Sequence, residues 1–345
     1  MTVTTIKKLR DEVENYSADC VDTSNVPLRS LNFGEKDAMV FNCETPGVAM
    51  AGIYNDWAFS QICERLNVPA RWVGNPDNCP EALKIKILNE LSATYRDNKN
   101  FFVRMKGSVI RAVLSDQYSQ FDNGEFLNLV GEAVSTMGIE PKIHRASVGD
   151  EMRAYMVFPQ ITFAPDPQAK SHRNGDNGGL HPALYISNSE RGGGAARTVG
   201  AVFRGICSNG LIYGWTAQET FEVRHRFHSK AMMGVLVAEG VSMALKMSEE
   251  ATKKFLASQD VKVTPVKLGS IVNAWAEKYG ITVEAKDNWM SAIQTEAIVN
   301  GRFDDVRLFD VINAATYVSQ TRREGETELI ERMAGDMLHG QGNLH

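Results

Sequence analysis

The sequence predicts an α+β protein in which a central antiparallel or mixed β-sheet is flanked by amino-terminal and carboxy-terminal helices. Three observations predict this class. Residues 1–99 are mainly helical in pattern, residues 100–228 are rich in strand patterns with one inserted helix, and residues 229–345 return to helical spacing. Strands grouped in one stretch of chain favour an antiparallel or mixed sheet, because a parallel sheet needs strands and helices to alternate. We expect the three regions to pack as one unit.

The amino-terminal region contains two amphipathic segments. Trp57, Ile62 and Leu66 recur at helical spacing, and Pro69 ends the first segment. The second segment, 80–98, places Leu83, Ile87 and other apolar residues among polar neighbours. Both segments predict helices, and the residues before them predict an irregular leader.

The middle region begins with a hairpin signal. The runs 101–105 and 108–114 are short and rich in β-branched and aromatic residues, and Lys106-Gly107 lies between them. A helix with apolar positions from Phe126 to Met137 follows, and Gly138 ends it. Further strands are predicted within 151–163, 183–187, 195–207 and 222–227.

The carboxy-terminal region is predicted to be helical throughout. Ser229 can cap a long first helix, and Thr264-Pro265 opens a second one that Gly280 closes. Three more helices are predicted around 289–299, 305–319 and 326–338.

The composition is that of a globular protein, with 43% hydrophobic and 23% charged residues in 345. The basic first ten residues precede no apolar run, and no long uncharged apolar stretch occurs, so we expect neither a signal peptide nor a membrane partner. Five widely spaced cysteines without a C-x-x-C pair argue against a disulfide framework or a structural zinc site. These features predict a cytoplasmic protein.

Several short blocks carry a family resemblance. They are Arg111 to Tyr118 with the following Asp122-Asn123, Asn188-Ser189-Glu190, Cys207 to Gly210 with Arg224-His225, and Asn313 to Tyr317. In this order, over about residues 55 to 335, the chain resembles the phage/plasmid-like family that contains the domain of unknown function 932. The resemblance implies a mobile genetic element in the cytoplasm of a host cell, and it implies no activity. Gly192-Gly193-Gly194 departs from the family pattern, which has fewer glycines there.

Charge is distributed unevenly along the chain, whose net charge is −5. From 191 to 230 there are five arginines and one lysine against two glutamates. If the middle strands pair, these cations and the aromatic residues among them can line one groove along a phosphate backbone, with bases stacked on the rings. The candidate nucleic-acid-binding residues are Arg104, Lys106, Arg111, Tyr118, Arg197, Arg204, Arg224, Arg226 and Lys230. The alternative is a solvated sheet face with the aromatic residues in the core.

Nucleic-acid binding is the leading functional hypothesis, specifically binding of single-stranded DNA in phage or plasmid replication or recombination. The order of elements is similar to that of single-strand annealing proteins, which implies a homo-oligomer and no cofactor. A second hypothesis is a hydrolase or nuclease that uses Glu190, Asn209 and His225, with a carboxylate and an imidazole in one site. A third is an interaction protein that acts on a host factor. The strand region has few carboxylates, so no metal site is predicted.

Overall fold

The computed structural model describes residues 4–43, 47–94, 99–162, 164–165, 179–204, 209–212, 221–224, 230–299, 301–302 and 305–340. Within these ranges the helices are α1 (Ile6–Ser17), α2 (Asp56–Leu66), α3 (Ala70–Val73), α4 (Glu81–Thr94), α5 (Asn123–Ser135), α6 (Lys230–Ala257), α7 (Pro265–Tyr279), α8 (Val283–Val299), α9 (Leu308–Ser319) and α10 (Glu324–His339). The strands are β1 (Thr4–Thr5), β2 (Cys20–Pro27), β3 (Asn32–Phe33), β4 (Ala38–Asn42), β5 (Ala49–Tyr54), β6 (Asn100–Lys106), β7 (Val109–Ser115), β8 (Lys142–Ser147), β9 (Glu151–Val157), β10 (Ala164–Pro165), β11 (Gly179–Ser189), β12 (Ala196–Arg204), β13 (Asn209–Ile212) and β14 (Phe221–Val223).

The described strands form two sheets. The smaller sheet has the order β2-β6-β7-β5-β4-β3 and is antiparallel except where β5 runs parallel to β7. Its core includes Phe41, Ile62, Leu88 and Val113, which come from the sheet and from helices α2 and α4. The β6–β7 hairpin is the one predicted around Lys106-Gly107, and Gly107 adopts a positive φ of 54° in its turn.

The larger sheet is antiparallel, in the order β1-β8-β9-β11-β12-β13, with β10 beside β11 and β14 beside β12. Helices α1, α5 and α6 contribute to the core on one of its faces, together with Met156 and Ile186. A separate apolar cluster that includes Tyr155, Tyr185 and Val199 forms from residues at alternate strand positions.

The long helix α6 crosses the larger sheet at two glycines. A Cβ atom on Gly200 of β12 would clash with the Ala244 backbone carbonyl, and one on Gly240 of α6 would clash with Thr198 and Phe221. Both positions therefore need a residue without a side chain, since the helix and the strand approach closely there. The second half of α6 joins α7 to α10 in a helical core around Trp289, whose indole N–H donates to the Val311 carbonyl at 2.9 Å.

The predicted α+β class is confirmed, and the helices and strands predicted from residue 100 onward occur close to their predicted places. The amino-terminal region differs from its prediction, because β1 to β5 lie there together with α1 to α4. These strands are short or alternate between buried and exposed residues, so their apolar content gave little signal. In β2, for example, Thr23 and Val26 are buried, whereas Val21 and Ser24 are exposed. The described strands divide into two sheets, since β2 to β7 form a mixed sheet of their own.

Candidate nucleic-acid interface

The turn between β11 and β12, residues 190–195, joins the two sheets. Its Arg191 carbonyl accepts hydrogen bonds from the Trp57 indole N–H at 3.0 Å and from the Gln61 amide at 2.9 Å, both on α2. The oxygen of the same Gln61 amide accepts from the Val113 backbone N–H of β7 at 2.9 Å. A hairpin of the larger sheet is thereby fixed against a helix and a strand of the smaller one. We call residues 190–195 the hairpin tip.

Two arginines of the smaller sheet lie buried beneath the hairpin tip. Arg104 of β6 is 1% exposed and makes a bidentate pair with Asp22 at 2.9 and 2.8 Å. It also contacts Asp122 at 2.6 Å and donates to the Glu190 carbonyl at 2.8 Å. Burial by itself lowers the pKa of Arg104, but the hydrogen bonds and charges of Asp22 and Asp122 raise it above its ordinary value.

Arg111 of β7 is the second buried arginine and is 2% exposed. Its guanidinium contacts Asp150 at 2.9 Å and the Glu190 carboxylate at 2.7 Å. The second oxygen of Glu190 accepts the Asn123 backbone N–H at 2.8 Å. Burial by itself lowers the pKa of Arg111, but the hydrogen bonds that its guanidinium donates to Asp150 and Glu190 outweigh burial and raise the pKa.

The positions of these residues correct three sequence predictions. Arg104 and Arg111 were expected on a phosphate-binding surface, but they are buried and paired with carboxylates. Glu190 was the candidate catalytic carboxylate, yet it is 1% exposed and bound by Arg111 and Asn123. The cause is the same for all three, since paired charges can be buried where the two sheets meet.

A cleft of about 630 Å³ opens beside the hairpin tip, with one wall from each sheet. Helix α2 and the end of β7 form the first wall, and the hairpin tip, β12 and β14 with Arg224 form the second. Its lining residues are Trp57, Ser60, Gln61, Glu64, Arg65, Leu114, Ser115, Tyr118, Gly192, Gly194, Ala195, Arg197, Glu222 and Arg224. The cleft therefore combines three arginines, two glutamates and two aromatic side chains.

Two of the cleft cations were predicted, Arg197 and Arg224. Arg224 is exposed, whereas Arg197 pairs with Glu222 at 2.7 Å across the β12–β14 ladder. Tyr118, also predicted, stacks on Phe102 with ring centroids 6.0 Å apart, and its hydroxyl lies 3.3 Å from the Glu190 carbonyl. Burial raises the pKa of Tyr118 above its ordinary value, so its ring carries no charge at neutral pH.

The remaining predicted residues do not join this cleft or lie outside the described residues. Lys106 is half-buried, lies over the Tyr16 ring at 3.5 Å and donates to the Tyr16 carbonyl. Arg204 ends β12, at the opposite end of that strand from Arg197, and Lys230 begins α6; their side chains are outside the description. Arg226 and His225 also fall outside the described residues.

Two members of the predicted catalytic group, Glu190 and Asn209, lie apart in the described structure. Asn209 of β13 is paired with Arg204, whereas Glu190 follows the opposite end of the hairpin. The ends of β12, Ala196 and Arg204, are eight residue steps apart, which corresponds to about 26 Å at the usual rise per strand residue. Glu190 and Asn209 therefore do not share a site.

Sequence reasoning missed Trp57, Gln61 and Arg65, which all lie on α2. Their helix was predicted, but its polar face gave no reason to expect contact with a glycine-rich turn some 130 residues later. One signal available in the sequence was the glycine at position 192. In the structure Gly192 has a positive φ of 76°, and a Cβ atom there would lie 2.7 Å from Leu114. A glycine required by a close approach marks where two segments meet.

Comparison with known families gives one match. The profile of the family described as Domain of unknown function (DUF932) matches residues 111–334. The chain belongs to this family. The DUF932 match begins in β7 and ends in α10, so it includes strands β8 to β14 and the hairpin tip, but not α2. No curated protein and no solved structure matches the chain.

Among the residues that the structure describes, no group of three or more His, Cys, Asp or Glu side chains is arranged to hold a metal ion. None of the helices in the described ranges combines the length and the apolar character needed to cross a membrane.

Proposed function

We propose that this DUF932 protein binds single-stranded nucleic acid in the cleft between the two sheets, as part of phage or plasmid replication or recombination. The observation that carries the proposal is the composition of the cleft. Arg65, Arg197 and Arg224 lie in one cavity with the aromatic rings of Trp57 and Tyr118. Guanidinium groups neutralise backbone phosphates, and aromatic faces stack on bases without regard to sequence.

The size and shape of the cleft support a single strand over a duplex. A cavity of about 630 Å³ is in the range that encloses one drug-sized molecule, which corresponds to one or two nucleotides. Bases of a duplex are stacked on each other, so their faces are not available to a protein ring. Unpaired bases can turn towards aromatic side chains.

The charges in the cleft predict moderate affinity. Glu64 and Glu222 oppose the three arginines, so the described lining carries little net positive charge. If each arginine contacts one phosphate, the slope of log K against log salt concentration is about −2 for a single strand. This value is well below that of proteins with extended basic surfaces.

The test is a fluorescence anisotropy titration of the full-length protein with a labelled single-stranded oligonucleotide at several salt concentrations. Arg224→Glu should weaken binding and reduce the magnitude of the salt slope by about 1 or more, because a contact is replaced by a repulsion. Lys267→Glu is the matched control, since Lys267 is an exposed cation on α7. A duplex of the same sequence should compete poorly.

Two outcomes would contradict the proposal. One is the absence of measurable binding at low salt. The other is binding that Arg224→Glu and Lys267→Glu weaken equally, because that would indicate general attraction to a charged surface.

Other expectations remain predictions. Homo-oligomer formation, phage or plasmid origin and a cytoplasmic location follow from the resemblance and from composition. The hydrolase alternative gains no support from Glu190, whose carboxylate is bound by Arg111 and Asn123. An interaction protein acting on a host factor is the third hypothesis.

A further inference from the structure

A second, smaller pocket lies next to the cleft at the hairpin tip. Its volume is about 170 Å³, and Gly194, Ala195 and Arg197 line both cavities. Its other walls include Glu151 and Arg153 of β9, Tyr185 of β11 and Glu328 of α10. The two cavities are therefore adjacent along the start of β12. We call this cavity the side pocket.

The side pocket differs from the cleft in its charge balance. Arg153 lies 3.1 Å from Glu151 and 3.5 Å from Glu328, so carboxylates and guanidinium groups alternate along the wall. A phosphate placed there would meet two carboxylates. A neutral, flat group that has both hydrogen-bond donors and acceptors on its edge would instead find partners of both kinds.

We propose that the side pocket receives one unpaired guanine from the strand held in the cleft. Guanine presents two adjacent donors, N1–H and the N2 amino group, which match a carboxylate. It also presents two adjacent acceptors, O6 and N7, which match a guanidinium. A volume of about 170 Å³ equals that of five or six liquid waters, which is the scale of one base. This inference rests on the proposed function.

A mutation at Gly194 can narrow the border between the two cavities. A Cβ atom on Gly194 would have no neighbour within 4 Å, and the backbone there does not have a positive φ. A larger side chain can therefore be added at Gly194 without a clash at its first atom and without backbone strain. Because Gly194 lines both cavities, the leucine side chain of a Gly194→Leu variant would occupy space at their border.

The experiment compares four single-stranded oligonucleotides that are identical except at one central base. The probes are an oligothymidylate and the same strand with one guanine, one inosine or one cytosine. With wild-type protein, guanine should tighten binding by about tenfold over thymine, since a bidentate base contact typically discriminates by that amount. Inosine should lose most of this gain, because it lacks the N2 amino group.

Variants then connect the preference to the side pocket. Glu328→Gln and Gly194→Leu should each remove the preference for guanine. Glu326→Gln is the matched control, because it makes the same chemical change on the same helix at a residue that does not line the side pocket. Thermal unfolding of each variant shows whether it folds, and binding of the oligothymidylate by Glu328→Gln shows whether the cleft is intact.

The outcomes separate this inference from the proposed function. Binding of the oligothymidylate with no gain from guanine, or a larger gain from cytosine, overturns the guanine site and leaves the proposed function standing. A guanine preference that survives both Glu328→Gln and Gly194→Leu also overturns the site. Failure of every probe to bind overturns both proposals.

Discussion

Arg111 and Glu190 form a buried ion pair at 2.7 Å, although Arg111 belongs to the smaller sheet and Glu190 follows the last strand residue of β11 in the larger one. Both side chains are 2% exposed. Arg104, Asp22, Asp122 and Asp150 extend the pair into a cluster of alternating charges. The junction between the two sheets therefore depends on charge pairing as well as on apolar packing.

Removal of Arg111 should be strongly destabilising. In Arg111→Ala, Glu190 and Asp150 lose a buried partner, and loss of one member of a buried pair typically costs about 3–5 kcal/mol. Arg197→Ala removes a partly exposed pair with Glu222 and should cost about 0–1 kcal/mol. The free energy of unfolding in urea measures both. A similar loss of unfolding free energy in the two variants would show that the charge cluster does not stabilise the junction between the two sheets.

Stability should fall in mild acid because of His144. Burial lowers the pKa of His144 from 6.5 to about 4, and the charge of Arg145 adds to this effect. Between these values the unfolded chain binds a proton that the folded protein does not, so the free energy of unfolding decreases as pH falls through this window. The loss is at most about 1.4 kcal/mol per pH unit, and solvent screening of a half-buried side chain reduces it.

His144→Phe isolates this contribution while keeping an aromatic ring against Phe203, whose centroid is 4.8 Å away. The measurement is urea unfolding at pH 7 and pH 5 for both proteins. The difference between the two pH values should be smaller in the variant. An equal difference would mean that groups other than His144 determine the acid sensitivity.

The sequence predicted the elements better than it predicted their assembly. The Lys106-Gly107 hairpin and the Thr264-Pro265 to Gly280 helix were found because turn and capping residues act locally. The smaller sheet was missed because its pairings join distant segments, as where Asp22 of β2 lies opposite Arg104 of β6. Pairing over such separations leaves no pattern in a single segment.

The residues of the candidate site were also predicted only in part. Arg197, Arg224 and Tyr118 were predicted and lie together in the cleft, whereas Arg104 and Arg111 were predicted for the same surface but are buried and do not line it. Charge on a strand does not reveal whether the side chain meets solvent or a buried carboxylate. That distinction depends on Asp22, Asp122, Asp150 and Glu190, which reach the arginines only after both sheets have formed.

Glu222 should compete with the phosphates of a nucleic acid for Arg197. Its carboxylate contacts Arg197 at 2.7 Å in the cleft, where a phosphate would bind. Glu222→Gln should tighten binding by up to about fivefold, the worth of a surface ion pair, and steepen the salt slope by about 0.7. Glu64→Gln removes the second cleft carboxylate and should change the slope less, because only Glu222→Gln releases Arg197 from its ion pair. Equal effects would indicate a change in overall charge alone.

Gly192 and Gly194 should respond differently to alanine. Gly192 has a φ of 76°, and its Cβ would lie 2.7 Å from Leu114, so Gly192→Ala should cost about 1–2 kcal/mol from backbone strain alone. Gly194→Ala should be close to neutral, since nothing lies within 4 Å of its Cβ position. Thermal unfolding compares the two. Equal melting temperatures would contradict a strained backbone at Gly192.

The hydrogen bond from Val113 to Gln61 also bears on how the protein avoids aggregation. β5 pairs with β7 only at Val109 and Ile110, so the rest of that side of β7 lacks a neighbouring strand in the described sheet. Unpaired backbone groups on such a margin attract strands from other molecules. By supplying an acceptor to Val113, the side chain of Gln61 blocks this kind of intermolecular pairing while leaving the space beside it open to a ligand.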